Sequence, residues 1–307
     1  METLLQQLIN GLTLGAVYAL VALGYTMVYG IIGLINFAHG EVVMIGTMVA
    51  FSVIVALSGS GASPLLVLGA GLLVSVVVCM ILGWALERLA YRPLRHAPRL
   101  TPLITAIGMS IVLQNVAMIV WGRNYITFPP MIQKSIFDVA GATFTNVQLT
   151  IVVIAALMML GLTYLVHRTR MGMAMRATAQ NPHVASLMGV DINRVIAMAF
   201  VIGSALGAVA GCMVGSYYEI AHYQMGFMLG LKAFTAAVLG GIGNLAGAMA
   251  GGLLLGIIEA LGAGYIGELT GDFLGSHYQD IFAFVVLIIV LMFRPSGLFG
   301  ERTGDRA

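Results

Sequence analysis

Charge is what this chain has least of. Only 8% of its 307 residues are Asp, Glu, Lys or Arg, 60% are hydrophobic, and the mean hydropathy is +1.01. Soluble domains carry about 25% charged residues, so this chain has too little polar surface to face water all round. Cysteine is scarce as well. Cys79 and Cys212 both lie in apolar runs, with no CxxC and no Cys/His cluster; they read as small hydrophobes, and no metal site is expected. The Walker pattern GxxxxGK followed by Ser or Thr is absent, as are HExxH and GxSxG. The chain by itself is therefore not expected to cradle ATP phosphates or to act as a hydrolase. No catalytic residue and no cofactor is assigned.

Lipid admits only helices or closed barrels across its core, because every backbone polar group there needs an internal partner. Barrel strands would appear as segments of about ten alternating residues, and none is present. The 39 glycines suit close helix packing instead. The expectation is an all-α, polytopic helical membrane protein, a single domain over residues 1–307.

The little charge that exists is segregated. Arg88, Arg92, Arg95 and Arg99 lie between two apolar runs, Arg168, Arg170, Arg176 and Arg194 in a polar loop, and Arg294, Arg302 and Arg306 after the last run. Together they are 11 of the 14 basic residues. Between Glu259 and Asp280 the ionisable residues other than His are acids only, with Glu268 and Asp272 between them. Basic loops remain in the cytoplasm, so loops 87–100 and 167–194 and the C-terminus are expected inside, and 122–148 and 264–278 outside. The N-terminal METLLQQLINGLTLG has no basic region and no A-x-A site, and reads as the start of a membrane helix.

A span needs about 20 apolar residues, and 64–86, 101–121, 149–167, 195–217 and 279–293 qualify. Residues 4–57 and 226–263 are too long for one span each. The first is interrupted at Gly30, Gly33, Asn36 and Gly40, the second by LGGIGNLAG at 239–247. Such breaks mark discontinuous helices in transporters, which gives about eight or nine crossings. Gly33-x-x-Asn36-x-Ala38 and Gly241-x-x-Asn244-x-Ala246 share one spacing. It reads either as the trace of a duplication or as coincidence in a Gly-rich chain.

Residues expected along a path are Asn36, Phe37, His39 and Glu41 at the first break, Gly241 and Asn244 at the second, and Lys232. Ionisable groups at membrane depth mark pathways. The plainer reading places His39 and Glu41 in a solvated turn at the inner interface, and lets Lys232 snorkel to the outer one. Gly203, Gly207, Gly211 and Gly215 share a helix face. Tight internal packing is the simpler account of them, and a subunit or pore seam the sharper one.

Residues 168–194 form the one long polar stretch with a helical pattern. Asn181 suits an N-cap, Pro182 a first turn and Gly189 a left-handed stop. Val184, Leu187 and Met188 then share an apolar face in water. That face reads as a groove-filler for another protein, with Ala185 and Ser186 allowing close seating and Arg176 at the rim, or as packing on the chain's own helix ends.

Three blocks, GYTMVYGIIGLINFAHGEVVMIG (24–46), RMGMAMRATAQNPHVASLMGV (170–190) and GFMLGLKAFTAAVLGGIGNLAGAMAGGLLLG (226–256), with the final RPSGLFG (294–300), resemble the permease subunit of bacterial high-affinity branched-chain amino acid ABC importers. The resemblance covers nearly the whole chain. It implies a second related permease, two cytoplasmic ATPase subunits that bind ATP and Mg, and a periplasmic binding protein delivering leucine, isoleucine or valine across the inner membrane by alternating access. It places Arg170, Gly172, Arg176, Ala177, Ala185 and Gly189, with Leu187 between them, in an ATPase-contacting loop. Related permeases move other amino acids, amides or urea. A self-sufficient secondary carrier is the rival of another class, and the sparse membrane carboxylates count against it. A membrane-embedded enzyme would need a nucleophile–base pair or metal ligands, and no such spacing is visible. Nothing points to nucleic acid.

Overall fold

The computed structural model describes residues 2–95, 97–98, 100–132, 134–139, 141–270 and 279–300. Arg99, Asp272, Arg302 and Arg306 lie outside the described residues, as do the side chains of Glu268 and Asp280. Among the described residues eleven α-helices follow in order: α1 (Glu2–Ile32), α2 (His39–Leu57), α3 (Pro64–Leu86), α4 (Leu100–Trp121), α5 (Asn146–Arg168), α6 (Arg170–Gln180), α7 (Pro182–Leu187), α8 (Ile192–Tyr218), α9 (Met225–Gly240), α10 (Leu245–Thr270) and α11 (Gln279–Phe293). Among the described residues, seven helices are long and apolar enough to cross a membrane, and two shorter apolar ones cover Met225–Gly240 and Phe284–Phe293. The chain is thus a polytopic helical membrane protein. The described residues also form two small antiparallel sheets, β1 (Ile126–Thr127) with β4 (Ile220–Ala221), and β2 (Ile136–Val139) with β3 (Ala142–Thr145).

The loops sort into two ends. Residues 87–95, α6, α7, the turn 241–244 and the segment 294–300 share one end, the Arg-rich one. There Arg95 donates to Asn193 at 2.7 Å, and Val166, Arg176, Gly243 and Ser296 border one opening. The loop 58–63 and both sheets occupy the opposite end, where Gln6 of α1 holds Thr143 of β3 through bonds of 2.8 and 2.9 Å. Glu87, fully buried, pairs with Arg92 at 3.1 Å and with Arg95, and Arg95 through its bond to Asn193 ties the turn after α3 to the start of α8. Burial lowers the Arg95 guanidinium below its ordinary value, against the pull of Glu87.

Glycine sets how near the helices come. α1 and α10 run antiparallel in backbone contact, with Gly11 against Ile257, Gly15 against Leu253 and Ala19 against Gly252. In lipid no hydrophobic force joins helices, so this close packing supplies the attraction. Gly203, Gly207, Gly211 and Gly215 of α8 are buried against Gly24, Val43, Thr47 and Phe128. The four glycines therefore make an intramolecular seam.

Each break opens on a glycine of positive φ. Gly33 (φ 64°) follows α1 and Gly241 (φ 105°) ends α9, and each is followed three residues later by the Asn. Beyond that they differ. Asn244 caps α10 by accepting from Gly247 N at 3.0 Å, whereas Asn36 accepts from Tyr91 Oη at 2.9 Å. Gly30 and Gly40, expected at the break, lie inside α1 and α2.

Candidate functional site

α2 does not begin at the membrane surface. The His39 ring lies beside Gly24 of α1 and Gly207 near the midpoint of α8. α9 begins at the same depth, with Gly226 against the backbone of Gly40 and Gly230 facing Gly40 Cα. A Cβ at Gly230 would sit 2.9 Å from that Cα, so the two helix starts meet only because both carry glycine. With 16 residues at about 1.5 Å each, α9 is about 24 Å long, shorter than the hydrocarbon core of about 30 Å. Neither start has a side-chain cap.

Beside this junction opens a cleft of about 450 Å³. Its walls are Tyr25 of α1, Phe37 of the first break, Ile107, Ser110, Ile111 and Gln114 of α4, and Gln224, Phe227, Met228 and Leu231 at the start of α9. Its volume falls within the range of small-molecule sites, about 300–1,000 Å³, and like them it is mostly apolar with a few convergent polar groups.

The expected path residues divide among four places. Phe37 lines the cleft, its ring 5.5 Å from Phe234. Asn36, His39 and Glu41 are buried directly behind it. The reading of His39 and Glu41 as solvated at an interface is corrected: they are 1% and 0% exposed, because the chain climbs from the end of α1 to mid-depth before α2 starts. Glu41 Oε1 accepts from Ser110 Oγ at 2.9 Å and Gln114 Nε2 at 2.7 Å. Glu41 Oε2 and His39 Nε2 have no hydrogen-bond partner among the described residues. Gly241 and Asn244 lie at the Arg-rich end, under Phe299 and Gly300.

Lys232 does not snorkel. Its Nζ lies 2.5 Å from Glu259 Oε1 and 3.5 Å from Tyr18 Oη, and the Lys and Glu side chains are 14% and 2% exposed. An ammonium inside the bundle needs a carboxylate more than water it cannot reach. Glu259, grouped by sequence with the outer acids, is that partner.

The polar loop is built as two helices. Thr169 caps α6 through Gly172 N at 3.1 Å, and Asn181 caps α7 through Val184 N at 3.1 Å, with Pro182 in the first turn and Gly189 at φ 86°. Val184, Leu187 and Met188 are 50%, 73% and 81% exposed, so this face does not pack on the chain's own helix ends. Ala185 is 4% exposed and turned inward, Gly172 is buried against Leu165 and Val166, Ala177 is half-buried and Arg170 exposed. The Arg176 guanidinium donates to the Val166 carbonyl.

Ser110, Gln114 and Gln224 were not singled out by sequence reasoning. The available signal was amide and hydroxyl side chains near an uninterrupted apolar run, which cost energy in lipid unless they face a partner or a path.

A bundle of long apolar helices with a polar-backed cleft between them is a polytopic membrane protein with room for a small molecule. Residues 7–291 match the family described as branched-chain amino acid transport system / permease component. The chain is 48% identical to the high-affinity branched-chain amino acid transport system permease protein BraD of Pseudomonas aeruginosa, over 97% of this chain and 96% of that one. It is 47% identical to the permease protein LivH of Escherichia coli over the same shares, and 24% identical to the ribose import permease RbsC of that organism over 94% of this chain and 85% of that one. The chain belongs to the branched-chain amino acid permease family, and its role is that of a transport subunit, not an enzyme.

Proposed function

We propose that this chain carries leucine, isoleucine and valine inward across the bacterial inner membrane, as one permease of a pair driven by two ATPase subunits. A periplasmic binding protein delivers the cargo, and alternating access moves it past the cleft between α4 and the start of α9. The Arg-rich end and the C-terminus face the cytoplasm, following the positive-inside rule. ATP and Mg belong to the partner subunits. Asn36, Phe37, His39 and Glu41 form and back the path, and Lys232, Gly241 and Asn244 hold α9 at its flank and its inner end.

The observation that carries the ATP-driven reading is the face of α7. A capped helix placing Val184, Leu187 and Met188 in water exposes apolar surface that a groove on another subunit would bury. Arg170, Gly172, Arg176, Ala177, Ala185 and Gly189 shape and seat that helix. The test is purification of the full chain from its own membrane with whatever it holds, followed by uptake in vesicles. Co-purifying ATPases and ATP-dependent leucine uptake support the reading. Ion-gradient-driven uptake by this chain alone would replace it with a secondary carrier.

A further inference from the structure

Resting on the reading of the cleft as the cargo path, we propose that Ser110 and Gln114, oriented by the buried Glu41 carboxylate, form the end of the cleft that takes the ammonium group of an amino acid.

A carboxylate accepts hydrogen bonds and does not donate. Ser110 spends its only proton on Glu41 Oε1 at 2.9 Å. Gln114 turns its amide nitrogen to the same oxygen at 2.7 Å and to Ser110 Oγ at 3.5 Å, which uses its donors. The Gln114 carbonyl oxygen accepts no hydrogen bond among the described residues, and Gln114 lines the cleft. The polar wall of α4 therefore offers lone pairs only, and what fits lone pairs is a donor. A cationic donor fits best. Glu41 is 0% exposed, its second oxygen is unpartnered, and it forms no ion pair among the described residues. An uncompensated buried carboxylate is costly, and an ammonium resting on Ser110 and Gln114 offsets that cost. The remaining wall, Ile107, Ile111, Met228 and Leu231, suits a branched apolar side chain. Glu41 acts through Ser110 and Gln114 and is a positioning residue.

The test uses Ile111→Cys in the full chain in membrane vesicles, because the native Cys79 and Cys212 are buried. The rate of alkylation by a membrane-permeant maleimide reads occupancy of the cleft. The probes are leucine, 3-methylbutylamine (leucine without its carboxylate) and 4-methylpentanoate (leucine without its ammonium). Leucine and the amine are expected to slow alkylation at least threefold where the acid does nothing. Adding Gln114→Met, of similar length but without the acceptor, should remove the protection while the unprotected rate stays as before. Adding Glu41→Gln should weaken it severalfold, and a purely structural role would alter the unprotected rate instead. Protection by the acid equal to that by the amine, no protection by any probe, or full protection retained in Gln114→Met overturns the proposal. The amine–acid comparison needs neither added variant to fold. If leucine uptake by the whole system fails while the amine still protects, the cargo reading falls and the ammonium site stands. Uptake with no protection has the opposite meaning.

Discussion

At the scale of single residues, the bundle's buried charges decide most. Lys232 and Glu259 sit on neighbouring helices, 27 positions apart, and meet at 2.5 Å. Removing one takes the counter-charge from the other, at about 3–5 kcal/mol, whereas replacing both with apolar residues of similar size is often neutral. Lys232→Met and Glu259→Gln should each lower the melting temperature of the purified protein clearly, and the double variant Lys232→Met/Glu259→Met should recover most of the loss. Equal loss in all three would mean that the pair is not the source of the effect. A milder case is Tyr91→Phe, which leaves the Asn36 carbonyl oxygen buried without its donor at 2.9 Å. A loss of about 1–3 kcal/mol is expected, read as earlier thermal unfolding. None of these pairings was visible in the sequence. Lys232 and Glu259 each stand out in an apolar sequence, but a pair across helices is a property of helix order and rotation, and hydropathy carries neither.

At the scale of elements, much was visible. Four of the five expected spans, α3, α4, α5 and α8, were bounded to within a few residues because lipid tolerates only long apolar helices, and Pro64 and Arg168 mark ends of α3 and α5; the fifth, 279–293, is the shorter apolar helix α11. The N-cap, proline and glycine signals of α7 are local chemistry, so they survive without knowledge of the fold. What local pattern did not disclose is which way α7 faces. Ala185 and Leu187 are two residues apart and point to opposite sides, one 4% and the other 73% exposed. Two substitutions that look equivalent therefore should behave differently. Leu187→Asp should change stability by less than about 0.5 kcal/mol, as surface changes do, yet release ATPase subunits in a pull-down. Ala185→Trp overpacks the seat of α7 and should cost about 1–3 kcal/mol, seen as proteolysis within 168–191. Intact ATPase binding in Leu187→Asp would remove α7 from the docking surface.

For the whole molecule, sidedness follows from where the arginines gather. An impermeant thiol reagent applied to intact spheroplasts should label Tyr125→Cys, beside β1, and spare Arg194→Cys, at the start of α8, until the membrane is opened; both side chains are well exposed. The reverse pattern would invert the topology. Depth was the quantity that sequence could not supply. The first break is recognisable from Gly33 and Asn36, but not that it carries α2 to begin at the middle of the bundle, since that height is set by contacts with Gly24 of α1, Gly207 of α8 and Gly226 of α9. At the Arg-rich end, Leu298 and Phe299 donate to the carbonyls of Leu239 and Gly240 at 2.9 Å each, and Asn244 donates to Phe299 O at 3.0 Å. That segment is strapped to the inner tip of α9, while Ser296 beside it is exposed. A fluorophore on Ser296 would thus travel with a helix whose other end borders the cleft, giving an optical signal in water for a displacement that takes place within the bilayer.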